Sequence, residues 1–237
     1  MPDKDDVIRR AYDLAEGHIA TGRYEEASRV IAALLSPDAN PNPHHLRLLL
    51  EEIVAITFEP TAHINLAIML LTADSGEHDA ERAFELLSEA VDGVEPDGEG
   101  GEADRLAGVA HETLADLYLR GDVAPADPET AFRHYLAAAE LGRGQAAHNV
   151  AVAFEQGLFD QPVDRDSAKR YLNIAADAGV AAAMTSLALM HLDDLDAPDE
   201  VRVMDLLEQA RDLGDERAAE VLEQLREDTG LTVPEDE

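Results

Sequence analysis

The chain has 237 residues, 46% of them hydrophobic, and 51 Asp and Glu against 18 Lys and Arg leave a formal charge of -33. That apolar fraction is enough to build a core and rules out disorder of the whole chain, while the absence of Cys excludes disulfides, thiolate metal sites and nucleophilic thiols. Nucleic acids and anionic membranes are bound by clustered Lys and Arg, and Lys stands here only at Lys4 and Lys169, so neither is an expected partner.

Only 4% of residues are aromatic and none is Trp. The core must therefore come from Ala, Leu, Val and Ile, which suits closely packed helices. The first ten residues lack the apolar segment of a secretory signal, and no stretch approaches the roughly 20 apolar residues that span a bilayer. The expected location is the cytoplasm, where a large negative charge keeps a protein soluble and unassociated.

In chain order, residues 1–36 hold the first helical pair, "LAEGHIATGRYEEASRVIAALL", marked by Leu14, Ala15, Gly22, Tyr24 and Ala27. Residues 37–60 begin in a turn-rich break, part of "SPDANPNP", and continue into an apolar helix, "HHLRLLLEEIVAITF", that fits no repeat. From there the sequence is self-similar. Pairs of Leu-Ala type recur at Leu66–Ala67, Leu114–Ala115, Val150–Ala151 and Leu187–Ala188. An Asp follows each, at 79, 127, 164 and 199, with Ala83, Ala131, Ala168 or Val203 four residues on, and each unit closes at Gly93, Gly142, Gly179 or Gly214.

These positions have a physical reading as helix, loop, second helix and stop. Asp accepts hydrogen bonds from the free N–H groups that open a helix, and Pro128 after Asp127 suits the first helical position. Gly tolerates the left-handed conformation that ends helices, so the four closing glycines should mark the handover between units. Small Ala lets two helices approach, and Leu86, Tyr135, Leu172 and Leu207 fill the space between units. The units read as 61–93, 105–142, 143–179 and 180–214. Residues 94–104, inside the acidic and Gly-rich "DGVEPDGEGGEAD", read as a solvated loop. In 215–237, Ala218, Ala219, Val221, Leu222 and Leu225 make the apolar face of a capping helix followed by an acidic tail.

The unit "AHETLADLYLRGDVAPADPETAFRHYLAAAELG", with Leu114, Ala115, Tyr118, Gly121, Asp127, Ala131, Tyr135, Ala138, Ala139 and Gly142, resembles the Sel-1-like repeat, a longer-looped relative of the tetratricopeptide repeat. The next unit keeps Ala146, Ala151, Phe154, Gly157, Asp164, Ala168, Leu172, Ala175 and Gly179. Residues 61–93 resemble a degenerate copy, the last unit carries His191 where an aromatic is usual, and residues 1–36 resemble a plain tetratricopeptide repeat. The resemblance implies an all-α fold, a right-handed α-solenoid of stacked helix-turn-helix repeats.

Catalytic patterns are incomplete. "GRGQAA" fits G-x-G-x-x-G/A, but that fingerprint works between a strand and a helix, and here two helices flank it. His111 and Glu112 begin an H-E-x-x-H motif that ends at Ala115. His44 and His45 point in different directions on a helix, and Asp160, Asp164 and Asp166 lack calcium-loop spacing. No catalytic residue, cofactor or metal site is predicted.

By resemblance, the first helices line a concave groove, with groove positions two before and two and five after the first residue of each Leu-Ala pair. They select Tyr12, Glu16 and Ile19; Ile64, Ile68 and Leu71; Glu112, Asp116 and Leu119; His148, Val152 and Glu155; and Thr185, Leu189 and Leu192. Acids beside apolar side chains suit a protein or peptide partner that carries Lys or Arg near hydrophobic groups. Asn65 and Asn149 stand where related repeats hold a peptide, but the Lys residues of a carboxylate clamp are missing. The leading expectation is a non-enzymatic adaptor binding a peptide or helix in this groove. The alternatives are an enzyme or nucleotide-binding module without a recognisable motif, or a self-associating structural protein.

Overall fold

The computed structural model describes residues 4–35, 41–72, 78–96, 98–123, 125–193 and 200–229. Among the described residues there are twelve α-helices and no strand: α1 Lys4–Ala20, α2 Tyr24–Leu34, α3 Pro43–Ile56, α4 Pro60–Leu71, α5 Ala80–Gly93, α6 Glu102–Arg120, α7 Pro128–Glu140, α8 Gly144–Gln156, α9 Arg165–Asp177, α10 Ala181–Leu192, α11 Glu200–Asp212 and α12 Glu216–Thr229. The fold is all-α, as expected. Two compact units divide the chain, residues 1–134 and 135–237.

In the first unit α1 packs on α2, α3 on α4, α4 on α5 and α5 on α6. Ala15, Ala27, Ile31, Leu46, Leu50, Ile53, Leu66, Ala67, Ala83, Leu86, Leu87 and Leu114 form one continuous buried core. The second unit repeats the scheme with α8 on α9, α9 on α10, α10 on α11 and α11 on α12. Its interior is Ala-rich: Ala146, Val150, Ala151, Ala168, Leu172, Ala175, Leu187, Ala188, Val203 and Leu207 are buried. Small side chains at facing positions let the helices close on one another, and no pair could bury its apolar faces alone.

The expected helix starts at three of the four aspartates have the right chemistry. Asp79 accepts a hydrogen bond from Arg82 N at 2.9 Å, Asp127 from Thr130 N at 3.0 Å, and Asp164 from Ser167 N at 3.2 Å. At Asp127 and Asp164 the donors favour the charged form, and these two carboxyls lie below the ordinary carboxylate range. The chief cause is the Thr130 backbone N–H for Asp127 and the Ser167 hydroxyl for Asp164. Asp199 lies outside the described residues. The unassigned segment after the turn-rich break is helix α3, capped by Asn42, whose side chain accepts from His45 N at 3.3 Å.

Three readings need correction, and one residue that marks the first helical pair, Leu14, lies outside the core. Gly142, Gly179 and Gly214 adopt left-handed φ of 83°, 85° and 91°, but Gly93 does not; it is the last residue of α5. A Cβ there would fall 2.1 Å from Cζ of Phe58, so close approach of a ring requires this glycine. Residues 94–104 are not a purely solvated loop. α6 begins at Glu102, and buried Asp104 accepts from the backbone N–H groups of Gly98 at 3.1 Å and Gly100 at 2.6 Å, which folds the segment back onto its own helix. Leu14 is 51% exposed although its neighbour Ala15 is buried, so only the Ala of that first pair enters the core. Ala219 is exposed too, leaving Ala218 and Leu222 as the buried residues of α12 among those described.

Candidate functional site

Within the first unit, the groove positions on α1 form a small polar cluster with α3. The Tyr12 ring lies 4.4 Å from the His45 ring, centroid to centroid, and its hydroxyl donates to Asn42 O at 3.0 Å. His45 Nε2 stands 3.1 Å from Glu16 Oε1. Burial raises the Tyr12 hydroxyl pKa, partly opposed by the Asn42 contact, so at neutral pH the phenol is a neutral donor. On α4, Ile68 and Leu71 are half-buried; on α6, Glu112 is half-buried while Asp116 and Leu119 are exposed.

Within the second unit, His148 and Val152 are half-buried and Glu155 is exposed on α8, and Leu189 and Leu192 are half-buried on α10. Burial pulls the His148 pKa down, and the charge of Glu155 partly opposes this.

Three of the fifteen expected groove residues are not available to a partner. Ile19 and Ile64 are buried among apolar neighbours, and Thr185 is 1% exposed, with its hydroxyl bound to Asp215 Oδ2 at 2.6 Å. Asp215 at the same time accepts from Arg217 N at 3.0 Å at the start of α12. One residue turns a helix by about 100°, so a side chain at the margin of a first helix rotates from groove to neighbouring helix with a small change in register.

Asn65, just before Leu66 on α4, has its side-chain nitrogen buried with no hydrogen-bond partner among the described residues. Leaving such a donor unmade costs about 1–3 kcal/mol. Its counterpart on α8, Asn149, receives a bond from Gln145 Nε2 at 3.4 Å.

Sequence reasoning missed a ladder of rings in the first unit. Phe84 on α5 meets Tyr118 on α6 edge to face at 5.5 Å; Tyr118 stacks on His134 of α7 at 5.4 Å; and His134 Nδ1 lies 2.9 Å from His111 Nδ1. Burial, then His111, then Arg133 push the pKa of His134 down to about 4, and burial lowers that of His111. Both rings are neutral at pH 7. The second unit has a related pair, Phe154 stacked on Tyr171 at 6.0 Å with the Arg170 guanidinium 5.1 Å from the Tyr171 ring. The repeat step itself carried a signal, since His134 precedes Tyr135 as Tyr171 precedes Leu172.

The "GRGQAA" glycines are explained by packing. Gly142 is left-handed, and a Cβ on Gly144 would meet Ala178 Cβ at 2.6 Å and Val180 Cγ2 at 2.9 Å. Among the described residues, no group of three or more His, Asp or Glu is placed to hold a metal ion, and no helix is long and apolar enough to cross a membrane.

Residues 60–93, 109–142 and 144–180 each match the Sel1 repeat. The first match covers α4 and α5, the second most of α6 with α7, and the third α8 and α9. The fold is similar to that of a Sel1 repeat protein from Oxalobacter formigenes, with TM-score 0.62 and 19% identity over 87% of this chain and 86% of that one. It is also similar to c5321, a protective antigen of uropathogenic Escherichia coli with an SLR fold, with TM-score 0.65 and 14% identity over 88% of this chain and 46% of that one. No curated protein matches the sequence.

Proposed function

The chain is a Sel1-repeat protein with three matched repeats, and on that premise we propose that it is a non-enzymatic cytoplasmic scaffold that binds a partner peptide or helix along its first helices. Stacked helical hairpins present such surfaces repeatedly, each repeat adding a strip of contact. The observation that carries the reading is the composition of the accessible first-helix positions within each unit. In the first unit, exposed Glu16, Asp116 and Leu119 stand with half-buried Tyr12, Ile68, Leu71 and Glu112; in the second, exposed Glu155 stands with half-buried His148, Val152, Leu189 and Leu192.

Acid beside apolar surface favours a partner carrying Arg or Lys next to hydrophobic side chains, with charge governing encounter and the apolar groups governing residence. The high negative charge disfavours nucleic acid and anionic lipid.

The test is affinity capture from source cells with the full chain and with a triple variant, Glu112→Lys, Asp116→Lys and Glu155→Lys. The account expects a partner held by the wild type and lost by the variant. Equal recovery by both would reject the groove, and a chain that associates only with itself in light scattering would reject the scaffold.

A further inference from the structure

A second surface in the first unit shares no residue with the groove set. The junction between α3 and α4 carries two large apolar side chains into solvent, Ile56 at 55% and Phe58 at 46% exposure. The two side chains line one cleft with Glu89 and Asp92 at its edge, an apolar surface rimmed by polar groups of the kind that serves as an interaction site. The ring of Phe58 is fixed, not loose. One side occupies the place where any Cβ on Gly93 would fall, and the His63 ring stands 4.9 Å away, centroid to centroid. His63 is itself held by Glu59 O at 2.9 Å and Glu89 Oε2 at 3.4 Å.

Phe58 divides two clefts. The first, about 510 Å³, runs from Val54 and Ile56 past Phe58 to Glu89 and Asp92. The second, about 640 Å³, has Tyr24, Val94 and Leu106 as its apolar lining and Glu25, Glu26 and Glu102 among its acids. Cations are fewer here. Arg23 lines the second cleft, and Arg29 bridges Glu25 at 2.6 Å and Glu102 at 3.5 Å. Glu59, also at this rim, is occupied in capping α4 through Ala62 N at 2.7 Å.

We propose that this Phe58 shelf is a docking site for an extended peptide segment in which Arg or Lys alternates with aliphatic residues. The aliphatic side chains would enter the clefts on either side of the ring, and the cations would meet Glu25, Glu26, Glu89 and Asp92. The occupant follows from charge complementarity: an apolar surface bordered by this many carboxylates repels an acidic segment and leaves a purely polar one without burial.

The probe is a capped decapeptide repeating Gly-Arg-Leu, with two controls, one replacing every Leu by Ser and one every Arg by Glu. The chain contains five Phe, so 4-fluorophenylalanine labelling of the full chain gives a small ¹⁹F spectrum in which Phe58→Leu assigns the shelf signal. Titration of the Gly-Arg-Leu peptide should move the Phe58 resonance, with at least tenfold weaker binding of either control. Gly93→Ala, which drives a methyl into the ring position, should weaken binding severalfold while the other four resonances report an intact fold. The triple Lys variant of the groove should bind the probe as the wild type does. A Phe58 signal unmoved by the probe, or moved equally by the Ser control, would overturn the proposal. So would a signal that moves with protein concentration alone, which would assign the shelf to a second copy of this chain.

Discussion

His111 and His134 meet Nδ1 to Nδ1 at 2.9 Å between α6 and α7, so one ring must donate and the other accept, and the two carry opposite tautomers. One added proton can go to the free Nε2 of the donor ring and leave the Nδ1–H···Nδ1 bond intact, but a second would have to take the acceptor Nδ1 and set donor against donor. A ring whose folded pKa is depressed stabilises the fold fully above its unfolded value of about 6.5, and loses that contribution as pH falls toward the folded value of about 4. Urea midpoints at several pH values should therefore show the wild type losing about 1 kcal/mol relative to His134→Phe between pH 7 and pH 5, the figure being reduced for solvent screening of a half-exposed ring. Parallel pH profiles for the two proteins would contradict this.

Gly93 and Phe58 should be energetically coupled. Alanine at 93 meets the Phe58 ring, with Cζ at 2.1 Å, and overpacking of this kind costs about 1–3 kcal/mol. Removing the ring removes the clash. A double-mutant cycle of Gly93→Ala and Phe58→Ala should show strong non-additivity, with the alanine at 93 harmless once Phe58 is gone. Additive effects would refute the close approach as the reason for glycine.

Asp104 should hold residues 98–101 against α6. Asp104→Ala leaves the Gly98 and Gly100 N–H groups without their acceptor and should cost about 1–3 kcal/mol. Glutamate-specific protease should then cut at Glu95 and Glu99 faster in the variant than in the wild type. An unchanged cleavage rate would show that Asp104 does not restrain the segment.

A charge of -33 places the compact state under self-repulsion that salt relieves. The screening length shrinks from about 10 Å at 0.1 M salt to about 3 Å at 1 M. Thermal midpoints in sodium chloride should rise over that range, and a flat response would remove screening from the account of this composition.

What the sequence disclosed was whatever repeats. Leu66–Ala67, Leu114–Ala115, Val150–Ala151 and Leu187–Ala188 are all buried, and Asp79, Asp127 and Asp164 each cap a helix, because these are local devices copied from unit to unit. Gly93 was misread because a helix stop and a close approach both demand glycine, and only the position of Phe58 distinguishes them. Asp104 and the His111–His134 pair were invisible for a related reason, since each depends on one partner that the repeat pattern does not specify. Groove positions transferred least reliably at the edges of the strip: Ile19, Ile64 and Thr185 turn into neighbouring helices, a distinction of less than one-third of a helical turn.

Photo-crosslinking tests the central proposal most directly. Benzoylphenylalanine placed singly at Leu119, Val152 or Leu189, and at Glu85 on a second helix as a control, would be irradiated in source cells and the adducts identified. The account predicts one shared partner captured from the three first-helix positions and not from Glu85. Adducts from Glu85 alone, or unrelated proteins from each position, would contradict it.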